Sequence, residues 1–384
     1  MIHYYQLGAD KPLNEIVMAG SHDAGITGGA ANVQTQNLDI RGQADAGVRV
    51  FDLRIAAQTE ANAAGGKDAV MRAFHADGML KKDETKTRFV TDVGRNEQIT
   101  RTKLRGGAFG MSLARILGDA RGFVQAHPDE FLILKFDKCT NWPLIAEACV
   151  TELAGVIFTG TGNLNVRTLR ELRGKVVVLF TADGMAAVQR SFPPSTGILG
   201  IRNLYDKDGG KTYFPGFDGL QYWGKGGTSV AKPFRKIGQN VSKQGKLMQQ
   251  GSACNPEVLG MMYWTSTGLI ESIQGRNDEM WRGSNVAALR RLWKKGLSDA
   301  IDERTARHVD PSAYAFGNVL KSFMPNIVMI DFADAQKCRT IYELNHVAAT
   351  ALTDASRALD DEVRQAQAAY AQLQHNTRAR GARA

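Results

Sequence analysis

The chain reads as an α/β protein built on a closed (β/α)8 barrel, and three observations carry that reading. Short apolar runs alternate with segments of helical periodicity. Most of the runs are apolar throughout, as strands of a parallel sheet covered on both faces are. Eight can be counted, which suits a closed barrel better than an open sheet. At 384 residues the chain is long for one domain, but barrels with insertions reach this length. The barrel is set at 1–340, followed by a helix and basic tail at 341–384.

The first run, residues 15–23 (EIVMAGSHD), ends in Ser21-His22-Asp23 and reads as a buried strand that delivers an imidazole and a carboxylate at its carboxyl end. Residues 24–37 are rich in glycine and small polar side chains and read as a mobile loop over that tip. A short helix is expected over 38–47, with Gly47 as its stop. The next strands are 48–55 (VRVFDLRI) and 69–77 (AVMRAFHAD). Between them and the following helix, 81–105 is polar and basic without periodicity and reads as an insertion at the pocket rim.

Residues 112–126 carry a helical stripe (Leu113, Ile116, Leu117, Phe123), and 131–136 (FLILKF) is a buried strand. The alternation continues with helices at 145–156 and 166–172 and with strands at 175–180 (KVVVLF), 197–201, 260–266 (GMMYWTS) and 326–334 (NIVMIDFAD). Residues 267–324 form an excursion bearing Trp281, Trp293 and the basic run Arg290, Arg291, Lys294, Lys295. That run suits either an amphipathic helix on the barrel flank or a binding surface. From 341 to 376 the stripe Leu344, Ala348, Leu352, Ala355, Leu359, Val363, Ala366, Tyr370, Leu373 predicts one long helix that packs on the barrel or on a partner.

Composition bounds the function. A net charge of +9 favours anionic partners, among them phospholipid headgroups, nucleic acid and acidic proteins. No recognisable motif supports nucleic acid, which ranks last. Cys139, Cys149, Cys254 and Cys338 are scattered, without metal-ligand spacing, and read as free thiols, most of them buried. No run approaches the ~18 apolar residues of a membrane span, and the first residues lack the form of a secretory signal. Removal of a signal, retention in the cell and signal-free export all stay open, with export preferred.

Four polar strand tips bring His22, His75, Arg54, Asp23, Asp52, Asp77 and Asp331 to what reads as one face, the carboxyl face on which such barrels hold their chemistry. Two histidines with carboxylate partners and an arginine suit phosphodiester cleavage. One imidazole takes a proton from the attacking hydroxyl, the other protonates the leaving oxygen, and the arginine neutralises charge on the phosphate.

PLNEIVMAGSHDAG, DIRGQADAGVRVFDLRI, the FHAD tip, SLARILGDARGFVQAHPDEFLILKF and LRGKVVVLF occur in order and resemble successive motifs of the phosphatidylinositol-specific phospholipase C catalytic domain in its bacterial form. The resemblance covers about residues 11–181 and then rests mainly on NIVMIDFAD. It implies an irregular TIM barrel and a two-step reaction: the inositol 2-hydroxyl attacks phosphorus, diacylglycerol leaves, and water can then open the cyclic phosphate. By motif, His22 resembles the general base and Asp331 its partner, Arg54 the phosphate-binding arginine, His75 the general acid and Asp23 its carboxylate. Asp52 is expected to orient Arg54 or His22.

Calcium-dependent relatives have an asparagine after the first histidine and an acid where Arg54 stands, so the resemblance implies no calcium and no other cofactor here. Thr181 stands where the bacterial enzymes have an arginine. Lys138, Tyr205 and Asp206 are the remaining candidates for headgroup contact. A different phospholipid or a glycosyl-inositol anchor therefore stays open as substrate. Glycerophosphodiester phosphodiesterase and sphingomyelinase D-like barrels fit less well, because they need a metal-binding E-x-D. A barrel that only binds lipid or a partner would not require both histidines. The expected partner is a phospholipid membrane surface, with a helix-mediated partner or oligomer through 341–376 as a further expectation.

Overall fold

The computed structural model describes residues 1–61, 67–76, 82–90, 96–205, 212–226, 237–251, 257–266, 272–283, 285–287, 289, 325–346, 364–365 and 367–369. Asp77, Asp206, Cys254, Trp293, the basic run at 290–295, most of the 267–324 excursion and most of the helix expected at 341–376 lie outside them.

In chain order the strands are β1 (Met18–Ser21), β2 (Val48–Leu53), β3 (Ile55–Ala61), β4 (Lys67–Ala76), β5 (Lys82–Val90), β6 (Asn96–Leu104), β7 (Gly107–Ser112), β8 (Leu132–Phe136), β9 (Val176–Phe180), β10 (Ile198–Asn203), β11 (Gly219–Lys225), β12 (Leu259–Trp264) and β13 (Pro325–Ile330). Eight of them close a parallel barrel in the order β1-β13-β12-β11-β10-β9-β8-β2. The other five form a second sheet, β5-β6-β3-β4-β7, antiparallel except where β3 meets β6.

Two expectations are corrected here. The run at 69–77 is β4 of the second sheet, not a barrel strand, and the eighth barrel strand is β11. The polar insertion at 81–105 contains the β5–β6 ladder, in register from Lys82↔Leu104 to Val90↔Asn96. Threonines and charges occupy both faces of this ladder, so it offers no apolar alternation to read.

The helices are α1 (Ile40–Ala46), α2 (Leu113–Ala126), α3 (Trp142–Glu152), α4 (Leu169–Leu172), α5 (Ala182–Val188), α6 (Ile237–Gly251), α7 (Ile273–Met280) and α8 (Ala335–Tyr342). Their ends follow local chemistry. Asp39 caps α1 by accepting from Gly42 N, and Gly47 stops it at φ 122°. Thr168 and Glu171 form a capping box on α4. Of the helix expected at 341–376, Ile341 and Tyr342 are the last residues of α8, and most of the rest lies outside the described residues. No helix of the described residues is long and apolar enough to cross a membrane.

The uninterrupted apolar strands are explained by burial on both faces. Val177 and Leu179 of β9 join Val50, Ile133, Leu220, Met261, Ile327 and Met329 in one cluster inside the barrel. Val176, Val178 and Phe180 join Leu132, Leu134, Val328 and Ile330 in a second cluster under the helices. The inward parity continues to the carboxyl ends of the strands and, in β1 and β13, past them. Counting by two from Val50, Ile133, Met261 and Met329 gives Asp52, Lys135, Tyr263 and Asp331, and from Met18 it gives His22. Cys149 and Cys338 are buried free thiols and Cys139 is a partly exposed one.

Candidate active site

Inward-pointing polar side chains meet at the carboxyl mouth of the barrel. His22 Nδ1 lies 2.9 Å from Asp331 Oδ1, joining the ends of β1 and β13. Its Nε2 faces Asp23 Oδ2 at 3.6 Å. His75 Nδ1 makes a 2.7 Å hydrogen bond to the same Asp23 oxygen. Arg54 Nε stands 3.0 Å from the other oxygen, Asp23 Oδ1, as an ion pair without hydrogen-bond alignment. Five of the residues expected from the strand tips, His22, Asp23, Arg54, His75 and Asp331, are thus gathered in one cluster.

The second sheet explains how His75 reaches it. The chain leaves β2 through Arg54 directly into β3, β3 pairs with β4, and Phe74 N donates to Arg54 O at 2.9 Å. The residue beside Arg54 in the sheet therefore precedes the second histidine. Asp331 is fully buried and His22 is 9% exposed, whereas the side chains of Arg54 and His75 are 20% and 15% exposed. The site opens to solvent on the Arg54–His75 side.

Asp52 differs from expectation. Its Oδ1 accepts from Lys135 Nζ at 2.6 Å, and Arg54 Nε turns to Asp23 instead. Lys135 also reaches Asp137 Oδ2 at 3.4 Å. A lysine inside the apolar run FLILKF was the available signal for this buried cation, because an unpaired charge in a barrel interior is costly. Tyr263, also unread in the sequence, sets its ring edge-on to His22, with centroids 5.9 Å apart at 82°.

Lys138 and Tyr205 stand on the same rim, after β8 and β10, with no hydrogen bond or ion pair to the cluster among the described residues. Lys138 is exposed with φ 54°, and Tyr205 packs on Trp223 at 5.1 Å under Lys225 Nζ. Thr181 follows β9 as the N-cap residue before α5.

Burial alone would push the His22 imidazole down, but the Asp23 and Asp331 carboxylates outweigh it and raise the group from 6.5 to about 9. Burial pushes the Asp331 carboxyl up against the pull of His22. Both partners shift upward, so the pair holds a proton more tightly than either group does in water. Burial would also raise Asp23, yet Arg54, His22 and His75 hold it well below the usual carboxylate range. For Lys135, burial is overcome by Asp52, and the ammonium stays charged.

Ligand atoms of His22, Asp23 and Asp52 lie within 4.8 Å of one another, a spacing compatible with a metal ion. The charges of the two carboxylates are already met, Asp52 by Lys135 and Asp23 by Arg54 and His75.

No family model and no curated protein matches the chain. Among solved structures it is similar to a mutant of the phosphatidylinositol-specific phospholipase C from Staphylococcus aureus, at 15% identity and TM-score 0.48, over 88% of this chain and 96% of that one. It is also similar to the phosphatidylinositol-specific phospholipase C from Listeria monocytogenes, at 16% identity and TM-score 0.42, over 88% and 95%. A calcium-dependent phosphoinositol-specific phospholipase C from a Pseudomonas species matches at 17% identity and TM-score 0.32, over 51% of this chain and 68% of that one.

Proposed function

We propose that this chain is a phospholipase C-like phosphodiesterase that cleaves phosphatidylinositol-type phospholipid, without metal, to diacylglycerol and cyclic inositol phosphate. The observation that carries the reading is the pairing of each imidazole, through Nδ1, with a carboxylate of its own: His22 with Asp331 and His75 with Asp23. No hydrogen bond among the described residues occupies either Nε2, that of His22 lying 3.6 Å from Asp23 Oδ2, and both are open to substrate. His22 Nε2 takes the proton of the inositol 2-hydroxyl as that oxygen attacks phosphorus. His75 Nε2 gives a proton to the diacylglycerol oxygen as its bond to phosphorus breaks. Arg54, whose Nε pairs with Asp23, keeps its two Nη nitrogens for the phosphate oxygens. Water then repeats the sequence in reverse roles to open the cyclic product.

Metal independence is supported by Lys135 and Arg54, which supply to the carboxylates the positive charge that an ion would otherwise bring. Thr181, a small neutral residue at the end of β9, favours a second reading in which the headgroup differs or belongs to a glycosyl-inositol anchor. The test is incubation with vesicles of labelled phosphatidylinositol, and of other phospholipids in parallel, with and without chelator. Cyclic inositol phosphate at equal rates in both arms is expected. Loss in chelator with recovery on added calcium would refute the metal-free reading, and turnover of another lipid alone would move the substrate.

A further inference from the structure

The segment read in the sequence as a mobile loop over the site holds two fully buried polar residues, Thr35 and Gln36. Their hydrogen bonds go to the chain just past β1 and β13. Gln36 Nε2 donates to His22 O at 3.0 Å and to Ile330 O at 3.2 Å, while its Oε1 accepts from Ala333 N at 2.9 Å. Thr35 Oγ1 donates to Asp23 O at 2.9 Å, and Thr35 O accepts from Phe332 N at 2.7 Å. The Gln36 side chain, and Thr35 through its hydroxyl and its carbonyl, thus bridge the segments that carry His22 and Asp331, which are 309 residues apart in sequence.

The backbone says why such a bridge is needed. Asp23, immediately after His22, has φ 44°, and Phe332, immediately after Asp331, has φ 48°. Neither is glycine, and a left-handed conformation at such residues is unfavourable and persists only where the surroundings fix it. Thr35 contacts both of these residues, one through its hydroxyl and one through its carbonyl. His22 N also joins the two segments by donating to Ile330 O at 3.0 Å, and Thr35 and Gln36 add bonds at and beyond the left-handed residues themselves.

We infer that Thr35 and Gln36 are positioning residues that fix the spacing and facing of the His22–Asp331 pair. Neither touches the reacting atoms: every bond they make to these segments is to main chain. The inference rests on the reading of His22 as the base of phosphodiester cleavage only for its kinetic part. Its geometric part concerns the hydrogen bond itself and can be measured without substrate.

Thr35→Val removes one hydroxyl at nearly constant volume, Thr35→Ser keeps it, and Gln36→Leu removes all three side-chain bonds. Two readouts apply to each folded variant: kcat against KM on phosphatidylinositol vesicles, and the deshielded Nδ1 proton of His22 in the NMR spectrum of the unliganded protein. Thr35→Val is expected to lower kcat by about tenfold to ~10²-fold, the scale of a small misplacement, with KM little changed. The Nδ1 signal should shift and exchange faster with water, and Thr35→Ser should restore both. If Gln36→Leu does not fold, the Thr35 pair of variants decides alone. A Thr35→Val protein that only melts earlier, with its kcat and Nδ1 signal unchanged, overturns the inference. If the unaltered protein cleaves no lipid tested, the proposed reaction fails while the Nδ1 signal still supports or overturns the bridge.

Discussion

At the scale of single residues, the site is a set of opposed charges at the barrel mouth, with Asp23 shared by Arg54, His22 and His75, and the proposed chemistry follows from which contact a substrate disturbs. Replacing His22 or His75 by Ala should each lower lipid cleavage by at least the ~10²-fold that general acid–base groups contribute. Near-full activity in either variant removes that residue from the mechanism. The raised His22 also ties stability to pH. The native state binds its proton more tightly than the unfolded chain, since the group moves from 6.5 to about 9. That stabilisation is complete below about pH 6.5 and is lost as pH rises through about 9. It amounts to at most about 3 kcal/mol. The Tm advantage of the unaltered protein over His22→Gln should therefore shrink across this window, and an advantage constant with pH contradicts the ion-pair account. Activity limited by the neutral imidazole should rise across the same window.

At the scale of elements, the sequence disclosed what apolar burial dictates and hid what polar bonding dictates. Seven of the eight barrel strands were legible, because burial on both faces leaves uninterrupted apolar runs such as VVVLF. β11 escaped because its inner and outer residues, GLQYWGK, mix Gln221 and two glycines into the run. β4 reads as a barrel strand because an apolar run ending in His75 does not reveal its partners, whereas β4 pairs antiparallel with β3 and β7. Residues 24–37 read as a mobile loop from their glycines and small polar side chains, a composition that does not reveal the main-chain partners of Thr35 and Gln36. The second sheet is tied to the barrel by a similar device. Asn141, at φ 59° before α3, accepts from Thr100 N at 2.7 Å and donates to Thr100 O at 2.9 Å, as a neighbouring strand would. Asn141→Ala loses both bonds and should cost about 1–3 kcal/mol. Hydrogen exchange should quicken in β6 while β1 and β13 keep their protection, and unchanged exchange at Thr100 and Arg101 would show that the tie does not hold the sheet.

At the scale of the whole molecule, a phospholipase that leaves the lipid in its bilayer must bring the barrel mouth to the headgroups. A net charge of +9 gives an attraction to anionic surfaces that added salt weakens. The excursion before β13 touches the barrel mouth: Ile273 N donates to Ala31 O, and Asn277 Nδ2 donates to Asp331 O at 2.8 Å. Trp281 is not part of a lipid-facing surface, since it packs against the core and its Nε1 is buried. The basic run that follows, Arg290, Arg291, Lys294 and Lys295, lies outside the described residues, and it carries the remaining weight of the docking idea together with Trp293. Each basic side chain near an anionic bilayer contributes about 1 kcal/mol, so four supply most of a weak, salt-sensitive attraction. Co-sedimentation with phosphatidylinositol vesicles should fall with rising salt, and Arg290→Glu with Arg291→Glu should lower both the binding and its salt slope. Binding that keeps its strength and slope in that double variant removes the run as the docking surface and transfers the test to the basic tail at 378–383.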